Sequence, residues 1–133
     1  MKNSKFLNHK RKTMVGLALL MLAGLCTSVQ AQTAWPNKAI RIVVPYAPGG
    51  ANDILARVVA EKLAPALGQP VLVENKPGAG AAVGTELVVK SPPDGYTLLM
   101  AASGPIVFNP ALVAKLAYNP VTDLTPISLA GSF

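Results

Sequence analysis

The sequence is poor in the residues that carry most protein chemistry. It has one cysteine, Cys26, one histidine, His9, and only 5% aromatic residues in 133 positions. No acidic residue precedes Asp53. No apolar run reaches the roughly 20 residues that a bilayer-spanning helix needs. A lone cysteine closes no intramolecular disulfide, and one cysteine with one histidine makes no four-ligand zinc site. Few aromatics and no late Lys/Arg cluster leave neither a stacking platform nor a basic stripe for nucleic acid. No nucleic-acid partner is therefore expected.

What is abundant sits at the start. Twelve Lys and Arg outnumber six Asp and Glu, for a formal charge of +6. Five of the twelve are Lys2, Lys5, Lys10, Arg11 and Lys12. An apolar run over residues 14–25 follows at once, and Val29-Gln30-Ala31 supplies small residues at the −3 and −1 positions of a cleavage site. This order describes a secretory signal peptide over residues 1–31, cleaved after Ala31. Bulky Leu25 before Cys26 disfavours a lipid-attachment site, and Lys10-Arg11-Lys12 lacks the paired arginines of a twin-arginine signal. Cleavage leaves residues 32–133, with seven basic and six acidic residues and a net charge of +1. It also removes His9 and Cys26, and with them any Ser-His-Asp triad, cysteine nucleophile or Cys/His metal site. No catalytic set, metal site or cofactor is expected in the remainder.

The remainder alternates strand and helix signals. Residues 39–44 are rich in β-branched residues and end at Pro45, as a buried strand does. Over residues 51–66, Leu55, Val58, Val59 and Leu63 recur at helical spacing, Arg57 and Glu61 form an i, i+4 pair, and Gly68 and Pro70 stop the helix. Residues 71–74 make a second strand, 81–90 a second helix and 96–101 a third strand. A short helix follows Asn109-Pro110, and residues 127–130 read as a fourth strand. This alternation predicts an α/β fold with a mainly parallel sheet and right-handed crossovers. The chain stops just after the expected fourth strand without a closing helix, which reads as a fragment of a longer protein.

In such sheets, ligands sit beyond the carboxyl ends of the strands. Loops 45–53, 75–80 and 102–105 occupy that position. The first two join glycines to a helix start, so backbone N–H groups and the positive end of a helix dipole face an anion without a cationic side chain. Gly78, Gly80 and Gly84 run G-x-G-x-x-x-G, one residue too long for the dinucleotide fingerprint. Plainer readings stand beside these. Gly49-Gly50 can be a tight turn, Asp53 a helix cap, Asn75 and Ser103 turn residues and Tyr46 a strand-end aromatic.

The motifs resemble a known family. Trp35-Pro36-x-Lys38-x-Ile40-Arg41-x-Val43-Val44-Pro45-Tyr46-x-Pro48-Gly49-Gly50-x-x-Asp53 is similar to the mature start of the tripartite tricarboxylate transporter substrate-binding proteins, the Bug family. Val73-Glu74-Asn75-Lys76-Pro77-Gly78-Ala79-Gly80 and Pro92-Pro93-Asp94-Gly95-Tyr96-Thr97-Leu98-Leu99 continue the match. Asn109-Pro110-x-Leu112 and Tyr118-x-Pro120-x-x-Asp123-Leu124-x-Pro126 complete it. The resemblance implies a periplasmic solute-binding protein with a two-lobed Venus-flytrap fold, of which residues 32–133 are an incomplete N-terminal lobe. It implies a small organic acid as ligand (a di- or tricarboxylate, an acidic amino acid or an aromatic acid) and a membrane permease as partner. Carried over residue by residue, the ligand-binding positions are Tyr46, Pro48, Gly49, Gly50, Asp53, Gly78, Ala79 and Gly80, with Ser103 from the third loop. Asp53 would suit a hydroxyl or amino group, or a positioned water. One departure is Ala81, where the family commonly has a second glycine. A sensor-kinase partner using the same cleft and a nonfunctional truncated product remain open alternatives; an enzyme fits less well.

Overall fold

The β-branched run Ile40–Val44, interrupted only by Arg41, builds the central strand, β1. A computed structural model of the chain describes residues 34–131. The segment read as a signal peptide, residues 1–31, lies outside the described residues. After β1 come helix α1 (Ala51–Leu67) and strand β2 (Val71–Asn75). A 3-10 turn (Ala79–Ala81) then runs into α2 (Ala82–Val89). Strand β3 (Thr97–Leu99), a π-helical turn (Gly104–Phe108), α3 (Asn109–Leu112) and α4 (Pro120–Asp123) complete the order.

The three strands form one parallel sheet in the order β2-β1-β3. Ile40 lies opposite Val71 and Val44 opposite Asn75, while Arg41 to Val43 lie opposite Thr97 to Leu99. Side chains alternate across the sheet, so Ile42 and Val44 share one face and meet Ala56 and Ala60 of α1, with Val71, Val73, Leu98 and Met100 around them. Each fully buried Val or Ile contributes about 1.5–3 kcal/mol. Helix α2 packs on β1 and β3. Arg41 staples the central strand to both neighbours, donating from Nη1 to Glu74 Oε2 at 3.1 Å and from Nη2 to Thr97 Oγ1 at 3.4 Å.

The strand–helix alternation is as expected; three details differ. The buried positions of α1 are Asp53, Ala56 and Ala60, whereas Val58 of the expected stripe is 50% exposed. Alanine lets the helix axis approach the sheet more closely than a branched residue would. Arg57 turns back to Asp53, not forward to Glu61, which pairs with Lys62. Residues 127–130 form no strand: no ladder partner lies beside them, and Ile127 and Leu129 are 78% and 82% exposed.

At the amino edge of the sheet, Trp35 packs against Tyr96 with centroids 5.8 Å apart. Lys38 lies over the Tyr96 ring at 4.2 Å and pairs with Asp94 at 3.1 Å. Gly95, at φ +80°, passes beneath Trp35, and a Cβ there would meet the indole at 3.3 Å. These motif residues therefore close the end of the sheet opposite the glycine loops.

Candidate functional site

The chain leaves β1 for β2 on one side and returns to β3 on the other. The crevice beyond the carboxyl ends of β1 and β3 is thus a topological switch point, where open α/β sheets take ligands. All three loops singled out in the sequence reach this edge. Lys76 N–H donates to Val44 O at 2.8 Å and Met100 N–H to Val43 O at 2.9 Å, so the loops leave a common, fixed rim.

The first loop is organised by Asp53, which is 3% exposed. Its Oδ2 accepts from Gly49 N–H at 2.8 Å and Arg57 Nε at 3.1 Å. Its Oδ1 accepts from Asn75 Nδ2 at 2.9 Å and faces Arg57 Nη2 at 3.0 Å. The fork of Arg57 holds the carboxyl down to a pKa of about 2, helped by the Gly49 amide and the Asn75 amide. Charge-assisted, bidentate bonds of this kind are the strong ones. The second Asn75 Nδ2 hydrogen goes to Tyr46 O at 3.2 Å, and Asn75 Oδ1 accepts from Arg57 Nη2 at 3.2 Å. One buried carboxylate therefore binds the first loop to the start of the second. Both its oxygens are engaged within the chain.

Gly50 caps α1 without a side-chain bond. The first-turn N–H groups have no partner within the helix, and Pro48, Gly49 and Gly50 are exposed around them. Gly49, at φ +84°, makes the turn that brings its own N–H back to Asp53.

The second loop is left-handed through three successive residues: Ala79 at φ +46°, Gly80 at +62° and Ala81 at +73°. Gly78, Ala79 and Gly80 are exposed, while Ala81 is buried, so its methyl group faces the interior and not the rim. Thr85 Oγ1 donates to Ala81 O at 2.9 Å, and Asn109 Nδ2 to Gly80 O at 2.9 Å. Gly84 lies under the rim, where a Cβ would come within 2.7 Å of Lys76 O and 2.8 Å of Pro45 Cβ. It is a packing glycine, the residue type that lets helix and strand touch.

Tyr46 is half-buried, and its hydroxyl accepts from Ala102 N–H at 3.4 Å, spanning the switch point from β1 to the third loop. Ser103 is exposed at the start of the π-helical turn. Tyr118, 5% exposed, donates to Pro105 O at 2.9 Å. Among the described residues, every buried side-chain nitrogen and oxygen has a partner, and no cluster of His, Cys, Asp and Glu could hold a metal. A separate groove of about 520 Å³ runs between α1 and β2, lined by Arg57, Ala60, Glu61, Ala64 and Val71–Val73.

Arg57, Asn75, Asn109 and Tyr118 carry the framework of this edge. Arg57 was legible only as a helix-face charge and Asn75 only as a turn residue. Asn109 and Tyr118 stood out in the family motifs but without a role.

Fold and edge together define a parallel α/β unit with three loops bonded together at a sheet switch point. Residues 55–132 match the tripartite tricarboxylate transporter family receptor, and the chain belongs to that family. It is 43% identical over 110 residues to the protein BugT of Bordetella pertussis, covering 82% of this chain and 33% of BugT. Among solved structures, MatC of Rhodopseudomonas palustris with bound malate is 40% identical at a TM-score of 0.69, over 72% of this chain and 33% of MatC. A second R. palustris protein, solved with adipate, is 33% identical at a TM-score of 0.64, over 66% of this chain and 29% of that one. The chain spans about a third of the length of the curated relatives it matches. The family is one of transport receptors, not of enzymes.

Proposed function

We propose that residues 32–133 form part of the N-terminal lobe of an exported solute-binding protein. It captures a small carboxylate in the periplasm and delivers it to the membrane permease of a tripartite tricarboxylate-type transporter. Export rests on the signal-peptide pattern of residues 1–31, with cleavage after Ala31. The ligand class rests on the malate and adipate held by two relatives. The observation that carries the reading is the bonding of three loops into one rim at the switch point, with the open first turn of the 17-residue α1 in it. Such a helix start presents N–H donors and about half a positive charge to an anion.

In this reading, Gly49, Gly50 and Pro48 shape the first half of the carboxylate cradle, and Gly78, Ala79 and Gly80 the second. Tyr46 and Ser103 close it from the switch point. Asp53 acts through the cradle, holding Gly49 and Asn75 so that the remaining amides point outward. Backbone amides accept any carboxylate, so the choice among acids falls to contacts from the opposite side of the cleft.

The test is a thermal-shift screen of a protein of the relatives' full length carrying this segment, against malate, adipate, a tricarboxylate and an aromatic acid. A ligand present at 100 times its dissociation constant stabilises the folded state by about 2.7 kcal/mol. At least one acid is expected to raise the melting temperature accordingly. A flat response across the panel refutes the reading.

A further inference from the structure

The family motif Asn109-Pro110 and the motif that starts at Tyr118 have no part in the cradle described above, yet both meet beneath it. The second loop is in a conformation that it does not hold cheaply. Left-handed backbone is disfavoured for any residue with a Cβ, and Ala79 and Ala81 both adopt it, on either side of Gly80. Such strain persists only where the surroundings over-determine it. Two side-chain bonds do so. Thr85 holds Ala81 O from within α2, as one turn of a helix can do by itself. The other bond comes from outside the local chain: Asn109 Nδ2 reaches Gly80 O, 29 residues away, at 2.9 Å. A carbonyl oxygen accepts only, so the amide nitrogen must face it. The Asn109 side chain also lies flush on the loop, its Oδ1 3.4 Å from where a Gly80 Cβ would stand.

Asn109 is itself seated. Its Nδ2 reaches the Tyr118 hydroxyl at 3.4 Å, and that hydroxyl donates to Pro105 O at 2.9 Å, inside the π-helical turn that begins after Ser103. A continuous path of bonds therefore links the third loop to the middle of the second.

Resting on the carboxylate reading above, we propose that Asn109, seated by Tyr118, is a positioning residue. It holds the left-handed loop at Ala79–Ala81 so that its amides face the ligand. Asn109 touches no ligand in this scheme. It lowers the fraction of loop conformations that cannot bind, and affinity falls in proportion when that restraint is lost.

The experiment is calorimetric titration with malate and adipate of a protein of the relatives' full length carrying this segment. Asn109→Ala and the uncharged, similarly sized Asn109→Leu remove the donor, and Tyr118→Phe removes the seat. Loss of one amide–carbonyl bond is expected to weaken binding about three- to tenfold for either Asn109 variant, and less for Tyr118→Phe. A merely structural role would not give the second result expected. In an Ala79→Gly/Ala81→Gly background, where the left-handed loop carries no Cβ strain, Asn109→Leu should cost less than twofold. Unchanged affinity in the Asn109 variants overturns the proposal, as does an equal loss in the glycine background. If Asn109→Ala does not fold, Asn109→Leu and Tyr118→Phe still decide it. A wild-type protein that binds neither acid refutes the carboxylate reading first, and this inference with it.

Discussion

Gly84 sits where α2 crosses the end of β1, and replacing it with alanine sets two effects of known size against each other. In a helix interior, alanine is favoured over glycine by about 1 kcal/mol. Against this, the new Cβ would lie 2.7 Å from Lys76 O, 2.8 Å from Pro45 Cβ and 2.9 Å from Pro45 Cα. Overpacking of this kind costs about 1–3 kcal/mol. Two of the three atoms are backbone and the third is fixed in a ring. The strand ends that carry them are joined by the 2.8 Å bond from Lys76 N–H to Val44 O. Nothing there yields cheaply, so the cost should fall in the upper half of the range and exceed the propensity gain. Gly84→Ala is expected to destabilise by about 1–2 kcal/mol net, read from urea unfolding with an unchanged m-value. Gly68→Ala is the matched control: no atom lies within 4 Å of its Cβ position, but φ is +66°. Its cost is the left-handed penalty alone, about 1–2 kcal/mol. The two differ in function. Gly84→Ala moves the start of α2 against the first loop and should weaken malate or adipate binding, whereas Gly68→Ala, at the far end of α1, should not. A Gly84→Ala protein as stable as wild type would refute the close-packing argument.

Other outcomes follow from the same geometry. The Asp53 carboxyl is held below its ordinary value of 3.8, at about 2. Its stabilisation is therefore complete above about pH 4 and lost as the pH falls through about 2. Asp53→Asn should lower stability at neutral pH and flatten the decline between pH 4 and 2. Glu74, Asp94 and Asp123, whose pKa values are also lowered, remain in both proteins and cancel in the comparison. Parallel urea midpoints across that window would count against the Asp53 bridge. Ala79→Gly, at an exposed position with φ +46°, removes a left-handed penalty of about 1–2 kcal/mol and adds unfolded-state entropy worth about 0.4–1 kcal/mol. It should stabilise by up to about 1.6 kcal/mol in chemical denaturation; a clear loss would contradict the strain.

How far the sequence could be read depended on the range of each interaction. β1, β2 and α1 were legible because β-branched runs and helical spacing act within a few residues. The partner of Arg57 was not: Asp53 and Glu61 stand at equal spacing on either side of it. The tie is broken by Gly49 and Asn75, which reach the buried carboxylate from elsewhere in the chain. The expected strand over residues 127–130 had the right composition but no neighbour to pair with, and pairing is not written in composition. Ala81 was visible as a departure from the family's glycine. Its φ of +73° shows what the glycine would relieve, and its burial shows that the methyl group turns inward.

The charge arithmetic takes on its meaning at this edge. Of the seven Lys and Arg from residue 38 onward, six are in ion pairs: Lys38, Arg41, Arg57, Lys62, Lys76 and Lys90. The two nearest the glycine loops are neutralised by acidic partners of the chain. Arg57 is clamped on Asp53, and Lys76 folds back to Glu74 at 2.8 Å. A free lysine there would attract any anion, phosphate and chloride included, as a hydrated point charge without shape. Fixed amides are directional and cost no reorganisation, so they favour a planar carboxylate set at one angle. Neutralising the cations and straining the loop serve the same end. Both exchange raw attraction for orientation: under the carboxylate reading, this edge fixes the angle of the acid group and leaves the choice among acids to the opposite side of the cleft.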